Sequence, residues 1–181
     1  MRKIPLTIET SNLTLRSLLP RDAELLRLWL KSPAILKAHS PGASFPEHFP
    51  LETFIFGPGE TFSLQYAITV RDGMELIGLA GFYRIDWSLR TAEIGLFIGL
   101  PSFQGRGYGT ETVRRLAKSA ADDLDLDKLF AQILPDNIPA RRCFEKAGFE
   151  TADESTCTTL LDRDLTSRLF RGFHRERKTA S

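Results

Sequence analysis

The sequence predicts a mixed α+β chain: one largely antiparallel sheet with helices packed against it. Three observations carry this. Residues 62–70 alternate, Phe62, Leu64, Tyr66, Ile68 and Val70 being separated by Ser63, Gln65, Ala67 and Thr69, the period-2 signature of a strand with one buried face. A second apolar run, Glu75 to Tyr83, follows Arg71-Asp72-Gly73, so the pair reads as an antiparallel hairpin. From Ala92 onward the order becomes strand, glycine-rich turn, helix, strand, helix, and two strands joined through a helix run parallel. At 181 residues the chain reads as a single domain, 1–181, long enough for a substantial core.

Taken in order, residues 6–18 alternate loosely and place a first strand near 12–18, on Leu13, Leu15 and Leu18. Pro20 suits the first turn of a helix, and Asp22 and Glu24 favour its positive end. Leu25, Leu26, Trp29 and Leu30 form its buried face. Residues 32–60 are dense in Pro, Gly, Ser and Phe and cannot hold a long helix. Two readings are open for them, a surface wrapping or a substrate-side loop, with Phe45, Phe49, Phe54 and Phe56 facing whatever is covered.

After the hairpin, the polar break Asp86–Arg90 leads to a third strand, Ala92–Leu100. The next helix carries Glu111 in its first turn and an apolar face of Val113, Leu116, Ala117 and Ala120. An acidic exit, Asp122–Asp125, precedes a short strand over Lys128–Leu134. Pro135 and Pro139 bracket a break. The second helix has Ala140, Cys143, Phe144 and Ala147 as its inner stripe and stops at Gly148. In the tail, strands are expected near 156–161 and 168–173, closing the sheet edge.

Composition narrows the function. Hydrophobic content of 42% and charged content of 26% are ordinary for a globular protein. A formal net charge of +1 provides no field for nucleic acid or an anionic membrane. The basic end, 163–181, holds six Lys/Arg against Asp164 and Glu176; it reads as a solvated tail, in part a strand. No run approaches the length of a membrane span, and Glu9, Asn12 and Arg16 interrupt any signal-peptide core. Two cysteines, Cys143 and Cys157, are too few for a disulfide framework, which fits a cytoplasmic protein. His39, His48 and His174 have no metal-binding spacing, so no metal is expected.

The chemistry concentrates at Gln104-Gly105-Arg106-Gly107-Tyr108-Gly109, between a strand and a helix. Alternate glycines let the backbone turn tightly and approach a ligand. The first amides of the helix lack intrahelical partners, and its dipole is worth about 0.3–1 kcal/mol to an anion. Such a turn suits a phosphate or pyrophosphate, and Arg106 adds a full charge. The lysine-bearing nucleotide loop and the Gly-x-Gly-x-x-Gly dinucleotide turn are both absent.

The run matches Gln/Arg-x-x-Gly-x-Gly/Ala and resembles the acetyl-CoA loop of the Gcn5-related N-acetyltransferases (GNAT). A second run, Asn137-Ile-Pro-Ala-Arg-Arg-Cys-Phe-Glu-Lys-Ala-Gly-Phe149, resembles that family's Asn-x-x-Ala/Ser-x-x-x-Tyr/Phe-x-Lys-x-Gly-Phe, at the right distance downstream. Ala92-Glu-Ile-Gly95, Gly107-Tyr-Gly-Thr-Glu111 and the opening Leu13-Thr-Leu-Arg-Ser-Leu-Leu-Pro-Arg-Asp-Ala-Glu24 resemble the ribosomal-protein alanine acetyltransferase (RimJ/RimL-type) branch. The resemblance covers about 10–150.

It implies the GNAT fold, with a parallel strand pair splayed at the cofactor, and an acetyl-CoA-dependent N-acetyltransferase acting on an amine acceptor. Gln104 opens the loop motif, and the amides of Gly105, Arg106, Gly107, Tyr108, Gly109 and Thr110 would hold the pyrophosphate. Ile98 and Leu100 would pair with the pantetheine arm. Asn137 would hold that arm or a water, or cap its helix; Phe144 would pack on the pantetheine, or in the core. An amine must be neutral to attack a thioester, and Glu93, a carboxylate in a largely apolar strand, is the candidate base, the alternative being a strand salt bridge. A backbone amide near Leu100 would stabilise the oxyanion. Phe144 stands where the family often has a Tyr general acid, so Tyr108, Ser102, water or no group would protonate the thiolate. Cys143 reads as core. The alternative function is a non-catalytic acyl-CoA-binding or sensing protein. Either a monomer or a homodimer is expected.

Overall fold

The computed structural model describes residues 3–33, 35, 62–71, 75–151 and 168–174. Eight strands form one sheet: β1 (Thr7–Glu9), β2 (Leu13–Ser17), β3 (Phe62–Val70), β4 (Leu76–Asp86), β5 (Thr91–Ile98), β6 (Lys128–Ile133), β7 (Glu150–Thr151) and β8 (Arg168–His174). Their spatial order is β1-β2-β3-β4-β5-β6-β8-β7. Every neighbouring pair is antiparallel except β5 and β6, which are parallel. Among the described residues three helices accompany them: α1 (Ala23–Leu30), α2 (Tyr108–Asp122) and α3 (Ile138–Lys146). The α+β class, the hairpin strands and the parallel crossover agree with the pattern in the sequence. The expected hairpin turn at Asp72-Gly73 and the strand near 156–161 lie outside the described residues. The strand expected near 168–173 is β8, running antiparallel along β6 from Lys128↔His174 to Ile133↔Arg168. β1 and β7, of three and two residues, are too short to leave a periodic signal.

The sheet has two covered faces. On one, α2 and α3 press Val113, Leu116, Ala120 and Phe144 onto Leu15, Ile68, Phe82, Ile94 and Ala131. On the other, α1 presses Leu26, Trp29 and Leu30 onto Ala67 and Leu79. This corrects the expectation for β3. Ala67 and Thr69, the small and polar partners in its alternation, are as buried as Tyr66 and Ile68, because α1 lies over the face their pattern assigned to solvent. The first turn of the predicted helix is a 3-10 turn over Pro20–Asp22 leading into α1, and Leu25 of its expected face is half-buried.

Two contacts set the geometry around β5. Arg90, just before the strand, donates to Asp127 at 2.7 Å and also pairs with Asp125. The Arg90 carbonyl accepts from Asp127 N at 2.8 Å. The starts of β5 and β6 are thereby clipped together. At the far end, Gly99 leaves room for Trp29. A Cβ on Gly99 would lie 2.1 Å from the indole Cδ2, inside any van der Waals contact, and Trp29 stands edge-on to Phe97 with ring centroids 6.0 Å apart. Gly99→Ala therefore has to displace a buried indole, and overpacking of this kind costs about 1–3 kcal/mol. A thermal melt of Gly99→Ala should show a clearly lowered midpoint; an unchanged midpoint contradicts this packing.

Candidate active site

The parallel pair is short. β5 and β6 match at Thr91↔Lys128, Ala92↔Leu129 and Glu93↔Phe130, yet both strands run on, to Ile98 and Ile133. Beyond Glu93 they part. Gly99 N donates toward β4, to Ile77 O at 2.8 Å. Peptide groups along a strand point alternately to either side, so those of Ile94, Leu96 and Ile98 face the opening. The Ile98 carbonyl accepts from Gln104 Nε2 at 2.8 Å, which ties the glycine loop back to the strand. The Leu100 carbonyl accepts from Phe103 N at 3.0 Å, while its own N–H has no acceptor among the described residues.

The loop arrives at the same opening. Gly105 and Gly107 have φ of +73° and +88°, a region that side-chain-bearing residues rarely occupy. A Cβ at either would meet nothing within 4 Å, so their backbone conformation, not protein packing, calls for glycine. Gly107 directly precedes α2, and its carbonyl takes the Glu111 amide at 3.0 Å. The amides of Gly105, Arg106, Gly107, Tyr108, Gly109 and Thr110 have no acceptor among the described residues. That is a row of donors at the positive end of a 15-residue helix. Arg106 lies over the Phe103 ring, 5.5 Å from its centroid, and Phe103 lies beside Tyr108 at 6.1 Å. The donor set fits a diphosphate, and the edge of β5, unpaired with β6 beyond Glu93 and engaged by Gln104 at the Ile98 carbonyl, fits an extended chain of amides.

Gly107→Val puts a β-branched residue at positive φ, where even an ordinary L-residue loses roughly 1–2 kcal/mol, and places a side chain where the anion would sit. Calorimetric titration with a diphosphate-bearing ligand should show affinity reduced at least about tenfold, equivalent to about 1.4 kcal/mol. Wild-type affinity would contradict the loop's role.

α3 approaches from the β6 side. The Asn137 side chain accepts from Ala140 N at 3.2 Å and caps the helix. Phe144 is 4% exposed and meets Phe149 edge-on at 5.1 Å, within the core. Cys143 Sγ lies 3.1 Å from where a Gly109 Cβ would stand, so α2 and α3 close tightly beneath the loop. Burial pushes the Cys143 thiol up, the wrong direction for a nucleophile.

Glu93 sits at the apex where the strands part, on the face covered by α1. Its carboxylate pairs with the Arg84 guanidinium and accepts from the Gln132 backbone amide. Arg84 also donates to Gln132 Oε1 at 2.8 Å. Tyr83, directly across the ladder from Glu93, lays its ring along Gly95. Burial drives the Glu93 carboxyl above the usual carboxylate range, against the opposing pull of Arg84 and Gln132. Burial beside that carboxylate also holds the Tyr83 phenol well above its ordinary range, so Tyr83 stays a neutral hydroxyl. The salt bridge foreseen as the alternative role for Glu93 is present, and it leaves the carboxyl raised. Arg84, Gln132 and Tyr83 escaped the sequence reading, since each reads as an ordinary strand residue until pairing brings them around Glu93.

The opening thus has Glu93 at its apex, Ile98 and Leu100 along its β5 edge and the 104–110 loop at its mouth, while Asn137 caps α3 and Phe144 lies in the core. A family model for the acetyltransferase (GNAT) domain matches residues 12–150. The chain belongs to the GNAT family. N-acetyltransferase p20 of Bacillus licheniformis is 27% identical over 147 residues, 80% of this chain and 82% of that protein. The human alpha/beta-tubulin-N-acetyltransferase 9 is 30% identical over 151 residues, 82% of this chain and 70% of that one. Spermidine N-acetyltransferase from Vibrio cholerae, solved with CoA and spermine, superposes with a TM-score of 0.67 at 22% identity, over 90% of this chain and 94% of that one. This GNAT domain has no helix, among the described residues, long and apolar enough to cross a membrane. Nor does it have, among the same residues, a His/Cys/Asp/Glu group able to hold a metal.

Proposed function

We propose that the protein transfers the acetyl group of acetyl-CoA to a primary amine by direct attack. One observation carries this reading: loop amides without an acceptor among the described residues and the open edge of β5 meet at one opening whose apex holds a half-buried carboxylate. The loop amides and Arg106 hold the diphosphate, and Ile98 and Leu100 align the pantetheine along β5. Glu93 takes the proton from the incoming ammonium, and its raised affinity for protons suits it to act as a base near neutral pH. As the amine nitrogen bonds to the acetyl carbon, a backbone amide near Leu100 faces the developing oxyanion. The carbon–sulfur bond then breaks, and the thiolate takes a proton from Tyr108, Ser102 or solvent.

The acceptor is a protein N-terminus or a small-molecule amine. The RimJ/RimL-like wording of the loop and of the first strand favours the former. A cytoplasmic enzyme, monomeric or dimeric, fits this reading. Thiol release from acetyl-CoA, followed with a panel of N-terminal peptides, spermine and simple amines, tests it. Acceptor-dependent release with at least one amine is expected; release from none, with acetyl-CoA bound, would identify an acyl-CoA binder instead.

A further inference from the structure

We propose that Arg84 is a positioning residue for acetyl transfer: turned out of strand register by a bulge, it clamps the Glu93 carboxylate to Gln132 across the mouth where β5 and β6 part. The proposal rests on the reading of Glu93 as the base.

In a regular strand Tyr83 and Arg84 would point to opposite faces. Tyr83 is paired with Glu93 and shares its face; Phe82, two residues before Arg84, lies in the core beneath α2 and α3. Arg84 belongs on that apolar face by alternation. The β4–β5 ladder, however, shifts register between Tyr83 and Asp86, and Arg84 has φ of +47°. Bulges of this kind re-aim a side chain. Here the bulge brings two consecutive residues of β4 against one carboxylate.

The contacts reach across three strands. The Arg84 guanidinium on β4 holds Glu93 on β5 and Gln132 Oε1 on β6. The backbone ladder between β5 and β6 ends at Glu93↔Phe130, so this is the side-chain tie beyond the last paired residues. Both contacts come from one guanidinium nitrogen, Nη2, which donates to Glu93 and to Gln132 Oε1, so the link depends on a cation at this position. Among the described residues, the titratable groups facing Glu93 are Arg84 and Tyr83 from β4, and β6 contributes only the Gln132 amide. The clamp therefore restrains both the direction of the carboxylate and its proton affinity.

The test is the pH profile of kcat/KM for wild type, Arg84→Met, Arg84→Lys and Glu93→Gln, with acetyl-CoA affinity measured alongside. Activity falls as pH drops through the Glu93 titration, because the protonated carboxyl cannot accept a proton. Removing a neighbouring cation raises a carboxyl by roughly 1–3 pH units. Arg84 is a third exposed, so a rise of about one unit is expected for Arg84→Met. Arg84→Lys should restore most of it, leaving acetyl-CoA affinity unchanged in both. An acid limb that is lost in Glu93→Gln but unmoved in Arg84→Met would overturn the clamp alone. A limb that survives in Glu93→Gln would overturn the base assignment and the clamp with it. Should Arg84→Met fail to fold, Gln132→Leu, which removes the second anchor, is expected to move the limb in the same direction by less, and an unmoved limb there counts against the clamp equally.

Discussion

Glu93→Gln should lower kcat by about 10²–10⁴-fold, the range associated with losing a positioned general base. The isosteric amide keeps the volume and can still accept from Arg84 and Gln132, so the fold should hold, with an unchanged circular dichroism spectrum. Charge and proton affinity are what the variant loses. The sign of the pH effect follows from the raised Glu93 carboxyl. Wild-type activity is full above that titration and falls as pH decreases through it. The variant has no such group to titrate, so its residual rate should be flat across the same window. A residual rate within tenfold of wild type would remove Glu93 from the mechanism.

Asp22→Asn should be the most destabilising single polar change in the described part of the molecule. Asp22 is 3% exposed and receives a two-pronged contact from Arg16, at 2.7 and 2.9 Å, plus the Leu19 amide at 2.8 Å. Asparagine leaves a largely buried guanidinium without its counter-charge, a change that costs about 3–5 kcal/mol. In a domain of this size that corresponds to a melting point lower by roughly 6–20 °C. Burial works against ionisation of Asp22, but the Arg16 hydrogen bonds, the Leu19 amide and the charges of Arg16 and Arg21 outweigh it and hold the carboxyl below its ordinary range. Its stabilisation is therefore present above the unfolded titration and lost as pH falls through the folded one. Asp22→Asn lacks this dependence, so the gap between the two melting points should narrow in acid. A stability difference below about 1 kcal/mol between the two proteins at neutral pH, the scale of an exposed pair, would contradict it. The consequence reaches the site: Arg16 and Asp22 join β2 to the start of α1, and α1 seats Trp29 beneath Gly99.

Much of this was legible in the residues. Alternation in 62–70 located β3, because a strand between a core and its neighbours repeats every second residue. The glycines at 105 and 107 marked the turn, because a backbone at positive φ admits little else. Asn137 and Gly148 bracketed α3 for the same local reasons. The α1-covered face of β3 was hidden, because Ala67 and Thr69 are small or polar and carry no apolar signal. Arg84 was hidden as well, since a bulge reverses the face that alternation assigns.

What the sequence determined by itself is therefore local: which segments are strands or helices, where they stop, and that a donor-rich turn precedes α2. These follow from dihedral preference and periodicity, which act within a few residues. The tertiary structure alone decided that β5 and β6 part after Glu93, that α1 closes the second face, and that Arg84 and Gln132 meet Glu93 across three strands. Those outcomes depend on register between segments distant in the chain, and register is set by how side chains from all of them pack together.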